Sequence, residues 1–374
     1  FLGATRGHGG YVKFDVGDLF RKLETEADLA ALLATLDVPI ARAIDNGSRV
    51  ELNIHCMLPN ALSKFEGYNH DVLTGIDQPS AQPRPYRFAH RFGVPVRYHD
   101  LERFSSASNL DLVEIHLSYK DVDVDIDAVL PAHVRLGLVV HAPELFAGDH
   151  TLDLCSLDED YRRHSVAELQ RVIDLSARLR RRFDCPEPVL LVTNVGGFSS
   201  QRHLGPGARS ELLERLVQSL GQLHGDGVEI IPQTMPPFPW HFGGQRFHNL
   251  FVDAETIEAF CLSQGMRVCL DVSHSKLACN HLHTPFSLFL ERILPFTAHL
   301  HLADAAGVDG EGLQIDEGEV DWASVFKLLG RLAPRASFIP EIWQGHKNNG
   351  EGAWLALERL EQHQLAQRGA PVAA

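Results

Sequence analysis

From about residue 110 to residue 345, short apolar runs alternate with stretches whose apolar residues recur every three or four positions. The runs lie at 111–117 (DLVEIHL), 136–141 (LGLVVH), 188–194 (PVLLVTN), 228–233 (VEIIPQ), 267–272 (RVCLDV), 297–302 (TAHLHL) and 336–342 (ASFIPEI). Between them, Val166, Leu169, Val172, Leu179 and Phe183 trace one helical stripe, and Leu212, Leu216, Leu220 and Leu223 a second. Phe286, Phe289 and Ile293 trace a third, and Val325, Leu328 and Leu332 a fourth. Runs of this length read as strands, and the stripes read as helices with one buried face.

Nearly continuous apolar strands separated by amphipathic helices mean parallel strands covered on their faces by those helices. Seven such strands with polar residues at their C-terminal ends predict an α/β fold, a closed (β/α)8 barrel, typically of about 250 residues. Two segments compete for the first strand. Val94–His99 closes a barrel over 91–366, the normal size, and is preferred; Val50–His55 would make 57–110 a long insertion. Residues 1–90 then form an N-terminal extension, with an amphipathic helix over 19–36 and a Pro-rich linker over 77–85. No chemistry is assigned there, and 367–374 reads as a frayed tail.

Composition narrows the function classes. The 44% hydrophobic content suits a globular core, and no apolar run approaches the roughly 20 residues of a membrane helix. No signal pattern opens the chain, so the expectation is a soluble, cytoplasmic protein with no membrane partner. Lys+Arg 34 against Asp+Glu 49 gives a net charge of -15, which disfavours a nucleic-acid partner. The one dense basic run, Arg178 with Arg180, Arg181 and Arg182, closes a helical pattern, where cations complement the dipole. Six scattered cysteines with no C-x-x-C pair fit a reducing compartment and argue against a thiolate zinc site.

Candidate chemistry lies at the strand ends, where barrels of this kind carry their active sites. The second run offers Glu114 and His116, the third His141 and Glu144, and the fourth Asn194. Gln233 ends the fifth, Asp271 and His274 the sixth, His299 and His301 the seventh, and Glu341 the eighth. Carboxylates and imidazoles converging in a low-dielectric mouth need a counter-charge. A divalent cation supplies one, and mixed oxygen and nitrogen ligands suit Mn, Zn, Fe, Co or Mg. On that reading Asp271 is a ligand and His274 approaches from the rim, one turn later. The competing reading makes Asp271 a helix cap and His274 a loop residue. Trp240 and Trp343 follow strand ends and offer aromatic faces to a polyol, or else pack the loops.

In order along the chain, HAPE (141–144), CLDVSH (269–274), HLHLAD (299–304), DEGEVDW (316–322) and FIPEI (338–342) resemble motifs of the xylose-isomerase-like TIM barrels. That family includes sugar isomerases, keto-sugar epimerases, hydroxypyruvate isomerases, inosose dehydratases and an apurinic endonuclease branch. The resemblance, over roughly 111–345, implies Asp271, His301 and Glu341 as metal ligands, with His301 preferred to His299. It also implies a sugar substrate, bound by His141, Asn194, His274, Trp240 and Trp343. Proton transfer falls to Glu341, with Glu144 or His141 as substitute bases and burial raising the carboxylate pKa. His274 donates to the substrate oxygen.

One departure stands out. The family usually has glutamate where this chain has Gln233, which can ligate through its carbonyl oxygen but cannot act as a base. A two-base epimerase is therefore harder to support, and three further readings stay open: a single-base isomerase, a lyase or dehydratase, and a sugar-binding barrel without turnover. The endonuclease branch is disfavoured by charge and by Asn194 where a histidine would be wanted. VPVRYHDLERFSS (94–106) and LDLVEIHLSYKD (110–121) also resemble segments of nonulosonate-synthase proteins carrying an isomerase-like barrel. This implies surface-glycan metabolism, with a homodimer or association with a sugar synthase as the expected assembly.

Overall fold

A computed structural model describes residues 81–369 except 186–187, 242–243 and 309, together with the backbone of 11–12 and 49–50. The helix expected over 19–36, the alternative first strand beyond Val50, the first residues of the Pro-rich stretch and the last residues of the tail lie outside the described residues.

Eight parallel strands run along the chain: β1 (Gly93–Val96), β2 (Leu112–His116), β3 (Gly137–His141), β4 (Val189–Thr193), β5 (Val228–Pro232), β6 (Val268–Asp271), β7 (Thr297–Leu302) and β8 (Ser337–Pro340). They form a five-stranded sheet, β5-β4-β3-β2-β1, and a three-stranded sheet, β6-β7-β8. Two parallel bridges join these sheets, Gln233 to Cys269 on one side and Phe92 to Phe338 on the other. The ring is thereby closed into a (β/α)8 barrel, with each strand hydrogen-bonded to its sequence neighbour. The first strand is Gly93–Val96.

Helices follow the strands: α1 (Leu101–Ser105), α2 (Ile126–Val129), α3 (Glu159–Arg180), α4 (Pro206–Leu220), α5 (Ala254–Gln264), α6 (Val272–Leu282), α7 (Phe286–Ile293), α8 (Trp322–Leu332) and α9 (Lys347–Gly369). Their starts are chemically marked. Asp158 caps α3 by accepting from the N–H groups of Asp160 and Tyr161, and Asp321 caps α8 through Ser324 N. Arg182, beyond the end of α3, reaches the carbonyls of Leu130 and Pro131 and pairs with Asp127, so the basic run is partly tied down.

Apolar residues divide into two cores. The larger lies between strands and helices, and includes the helix-stripe residues Leu169, Val172, Leu179, Leu216, Phe289, Ile293, Val325 and Leu328. The smaller fills the barrel interior with Leu112, Val139, Val192, Ile231, Cys269, Ala298 and Ile339. Strand side chains alternate faces. Two residues beyond an interior apolar position therefore comes the next inward one, and this step takes Leu112 to Glu114, Val139 to His141, Ile231 to Gln233, Cys269 to Asp271 and Ile339 to Glu341. The apolar floor fixes the layer of functional groups above it.

Candidate active site

Register sets the site. Asp271 on β6 pairs with His301 on β7, and His301 pairs with Ile339 on β8, two residues before Glu341. Gln233 bridges Cys269, two residues before Asp271. As a result Asp271, His301 and Glu341 place one ligand atom each within 4.8 Å of one another. His301 Nδ1 lies 2.6 Å from Glu341 Oε2 and 3.7 Å from Asp271 Oδ2.

Asp271 caps a helix and still has one carboxylate oxygen facing inward. Its Oδ1 caps α6, accepting from His274 N at 2.8 Å, while its Oδ2 turns inward. His274 is consequently a first-turn residue of α6 rather than a loop residue. Its Nδ1 is held 3.0 Å from Thr234 O and 3.3 Å from Asp271 Oδ2, and its Nε2 points toward Glu311 at 3.9 Å. Burial lowers the His274 imidazolium, but Asp271, Glu311 and Glu341 outweigh it, and the net shift is upward.

Beneath this layer Glu114 is fully buried, yet three imidazoles surround it. His301 Nε2 lies 3.0 and 3.2 Å from its two oxygens, His299 Nε2 2.8 Å from Oε2 and His116 Nε2 2.9 Å from Oε1. His299 also hydrogen-bonds Ser337 Oγ through Nδ1 at 2.7 Å. Of the two seventh-strand histidines, His301 therefore reaches Asp271 and Glu341, and His299 is engaged deeper. A second group, Glu114, His141 and His301, also brings its ligand atoms within 4.8 Å.

The histidines change the expected electrostatics. Burial alone would raise the Glu341 carboxyl, but His301, His116 and His141 hold it well below the usual carboxylate range. The expectation of a carboxylate raised by burial is not met here, because the neighbouring imidazoles, His301 foremost, outweigh the cost of desolvation. Burial likewise works against the His301 imidazolium, and Cys269, Glu114, Glu341 and Asp271 raise it. The carboxylates carry that effect, since burial pushes the Cys269 thiol up to about 12 and keeps it neutral.

Gln233 is the informative residue. One end of its amide faces His141 Nε2 at 3.3 Å, and the other faces Asp271 Oδ2 at 3.0 Å and His301 Nδ1 at 3.1 Å. His141 Nδ1 meets Ala142 O at 2.9 Å, and a carbonyl can only accept, so the proton sits on Nδ1. Burial and the neighbouring His116 push the His141 imidazolium down, which favours a neutral ring with a lone pair on Nε2. Only the NH2 end of Gln233 satisfies that lone pair. A half-turn of the amide then aims its carbonyl oxygen at Asp271 Oδ2 and His301 Nδ1. Once His301 gives up its Nδ1 proton, that lone pair joins these oxygens in a donor set that fits a cation.

Other expected residues divide. His141, Glu144, Gln233, Asp271, His274, Glu341 and Trp343 all line one cavity of about 660 Å³ at the barrel mouth. Glu144 stands on its wall and Trp343, 55% exposed, on its rim. Asn194 is not among the lining residues, and its Oδ1 accepts from Gly196 N at 2.9 Å to make a turn. The Trp240 side chain lies outside the described residues. Glu311 also lines the cavity, and no sequence signal marked it. It stands on the hairpin Asp304–Ala306 with Gly310–Leu313, which Gly312 N fastens to Ser273 Oγ at 2.9 Å.

The family described as xylose isomerase-like TIM barrel matches residues 103–363. No curated protein matches the chain significantly in sequence. Among solved structures, a D-tagatose 3-epimerase-like protein is similar at a TM-score of 0.52 and 20% identity, covering 74% of this chain and 98% of its own. An L-ribulose 3-epimerase aligns at 0.50 and 15% over 75% and 99%. A D-psicose 3-epimerase aligns at 0.50 and 12% over 75% and 100%. At such identities the likeness is one of fold. Among the described residues no helix is long and apolar enough to cross a membrane.

Proposed function

The chain belongs to the xylose isomerase-like TIM barrel family, and from that premise we propose that it is a divalent-metal-dependent sugar isomerase. Asp271, His301 through Nδ1, Glu341 and the Gln233 carbonyl oxygen would hold the cation. The observation that supports this is the convergence of ligand atoms of Asp271, His301 and Glu341 within 4.8 Å, beside an amide whose oxygen a neutral His141 would turn toward them. When bound, the cation supplies the Lewis acidity that polarises a substrate carbonyl.

The protein's own groups do the rest. His274, its Nδ1 anchored on Thr234 O and Asp271, presents Nε2 to the cavity and donates to a substrate oxygen as that oxygen gains charge. Glu341 Oε2 faces the ligand group beside His301 Nδ1, which leaves Oε1, 3.9 Å from His116, to take the proton alpha to the carbonyl and return it. Gln233 cannot serve as a second base on the opposite face. One base suits proton transfer between adjacent carbons on a single face, so aldose–ketose isomerisation is preferred to epimerisation. Glu144 is the carboxylate on the cavity wall that would support epimerisation instead.

The test begins with elemental analysis of the purified protein and of Glu341→Ala and Asp271→Ala. Near-stoichiometric Mn, Zn, Fe or Co, lost in both folded variants, is expected. Sugars are then screened for deuterium uptake from solvent. Free keto-hexoses come first, with surface-glycan sugars beside them because 94–121 resembles nonulosonate-synthase barrels. No metal under any loading condition would overturn the isomerase reading, and sugar affinity without metal would instead favour a binding barrel.

A further inference from the structure

We propose that Glu114 is a positioning residue for His301: its carboxylate takes the Nε2–H of the imidazole and turns the Nδ1 lone pair toward Asp271 and Glu341. This rests on the reading that those residues hold the cation.

Placement carries the argument. Glu114 is inaccessible to solvent and, like His301, is absent from the lining of the cavity. A buried carboxylate costs several kcal/mol unless polar partners surround it. Its position on β2 is 187 residues from His301, and only barrel closure brings the two together. His301 Nε2 lies within 3.2 Å of both Glu114 oxygens, whereas its Nδ1 lies 2.6 Å from Glu341. The ring is thus gripped from below at one nitrogen and open to the ligand group at the other. A carboxylate accepts only, so the grip defines the tautomer as Nε2–H. It also opposes a half-turn of the ring, which would replace Nδ1 by a carbon. Ligating histidines are commonly oriented by such an outer carboxylate, and its loss typically costs 10–100-fold in metal affinity. His299 Nε2 and His116 Nε2 approach the same carboxylate from the other sides.

The experiment uses the full chain and zinc as the probe. Glu114→Leu removes the acceptor, and Glu114→Gln keeps one acceptor without the charge. Each is titrated with zinc against a competing chelator, and the His301 tautomer is read by 15N–1H correlation on histidine-labelled protein. Circular dichroism reports folding. Glu114→Leu is expected to bind zinc about 10–100-fold more weakly and to lose the Nε2–H signature. Glu114→Gln is expected to keep that signature and to bind more tightly than Glu114→Leu. Should Glu114→Leu not fold, loss of the Nε2–H signature in folded Glu114→Gln would overturn the proposal, and its retention would support it. Parent affinity and tautomer in folded Glu114→Leu would overturn it, provided Asp271→Ala still abolishes binding. If Asp271→Ala also binds zinc like the parent, the ligand set itself is wrong, and the two failures stay distinct.

Discussion

The side-chain amide of Gln233 stands 3.0 Å from Asp271 Oδ2, beside the candidate ligand group Asp271, His301 and Glu341. An amide there brings an oxygen but no charge. Gln233→Glu would add a third carboxylate beside Asp271 and Glu341. The metal-free variant is expected to melt below the parent through like-charge repulsion. Divalent-ion affinity is expected to rise at least about tenfold, because one more charge at ligand distance is worth over 1 kcal/mol even when well screened. Thermal melts with and without manganese read both effects. Unchanged affinity would show that residue 233 does not face the cation.

Asp153 gives the fold a pH dependence of its own. Its Oδ1 accepts from Gly197 N and Cys155 N at 3.0 Å each, locking the loop after β3 to the loop after β4. Burial raises its carboxyl to about 6 against the opposing pull of those two N–H groups. A folded pKa above the unfolded value means that the folded state holds the proton longer. Stability from this group is therefore complete below about pH 4 and falls as pH rises to about 6, by no more than about 3 kcal/mol. Asp153→Asn keeps an accepting oxygen and should flatten the profile. Urea denaturation between pH 4.5 and 7.5 checks it, and parallel curves for parent and variant would refute the assignment.

Asp304 holds the chain segment that carries Glu311 over the cavity. Its two oxygens accept from Ala305 N, Val320 N, Asp316 N and Trp322 Nε1 at 2.9–3.1 Å. Asp304→Ala strands these donors in a buried setting, at a cost of about 3–5 kcal/mol. Asp304→Asn, which keeps acceptor capacity, should lose less. Denaturant midpoints measure the difference, and equal midpoints for both variants would show that the carboxylate does not organise the segment.

Much of this molecule was legible in its pattern of apolar and polar residues. Apolar runs ending on polar residues made Gln233, Asp271 and Glu341 strand-end candidates without coordinates. Helical stripes such as Val325, Leu328 and Leu332 announced the outer layer in the same way. These are local rules, and they work because strand and helix periodicity are set by backbone geometry.

What the sequence left open were relations across the barrel. His299 and His301 share a strand facing, and only register with β6 and β8 decides which one meets Asp271 and Glu341. Asn194 looked like its neighbours until its own turn claimed its oxygen. Glu341 was expected to rise in pKa by burial, and the imidazoles of three other strands reversed the direction. Local order determined which residues reach the mouth of the barrel. Closure alone decided which of them touch, because contact between residues as distant as Glu114 and His301 is a property of the ring and of no segment within it.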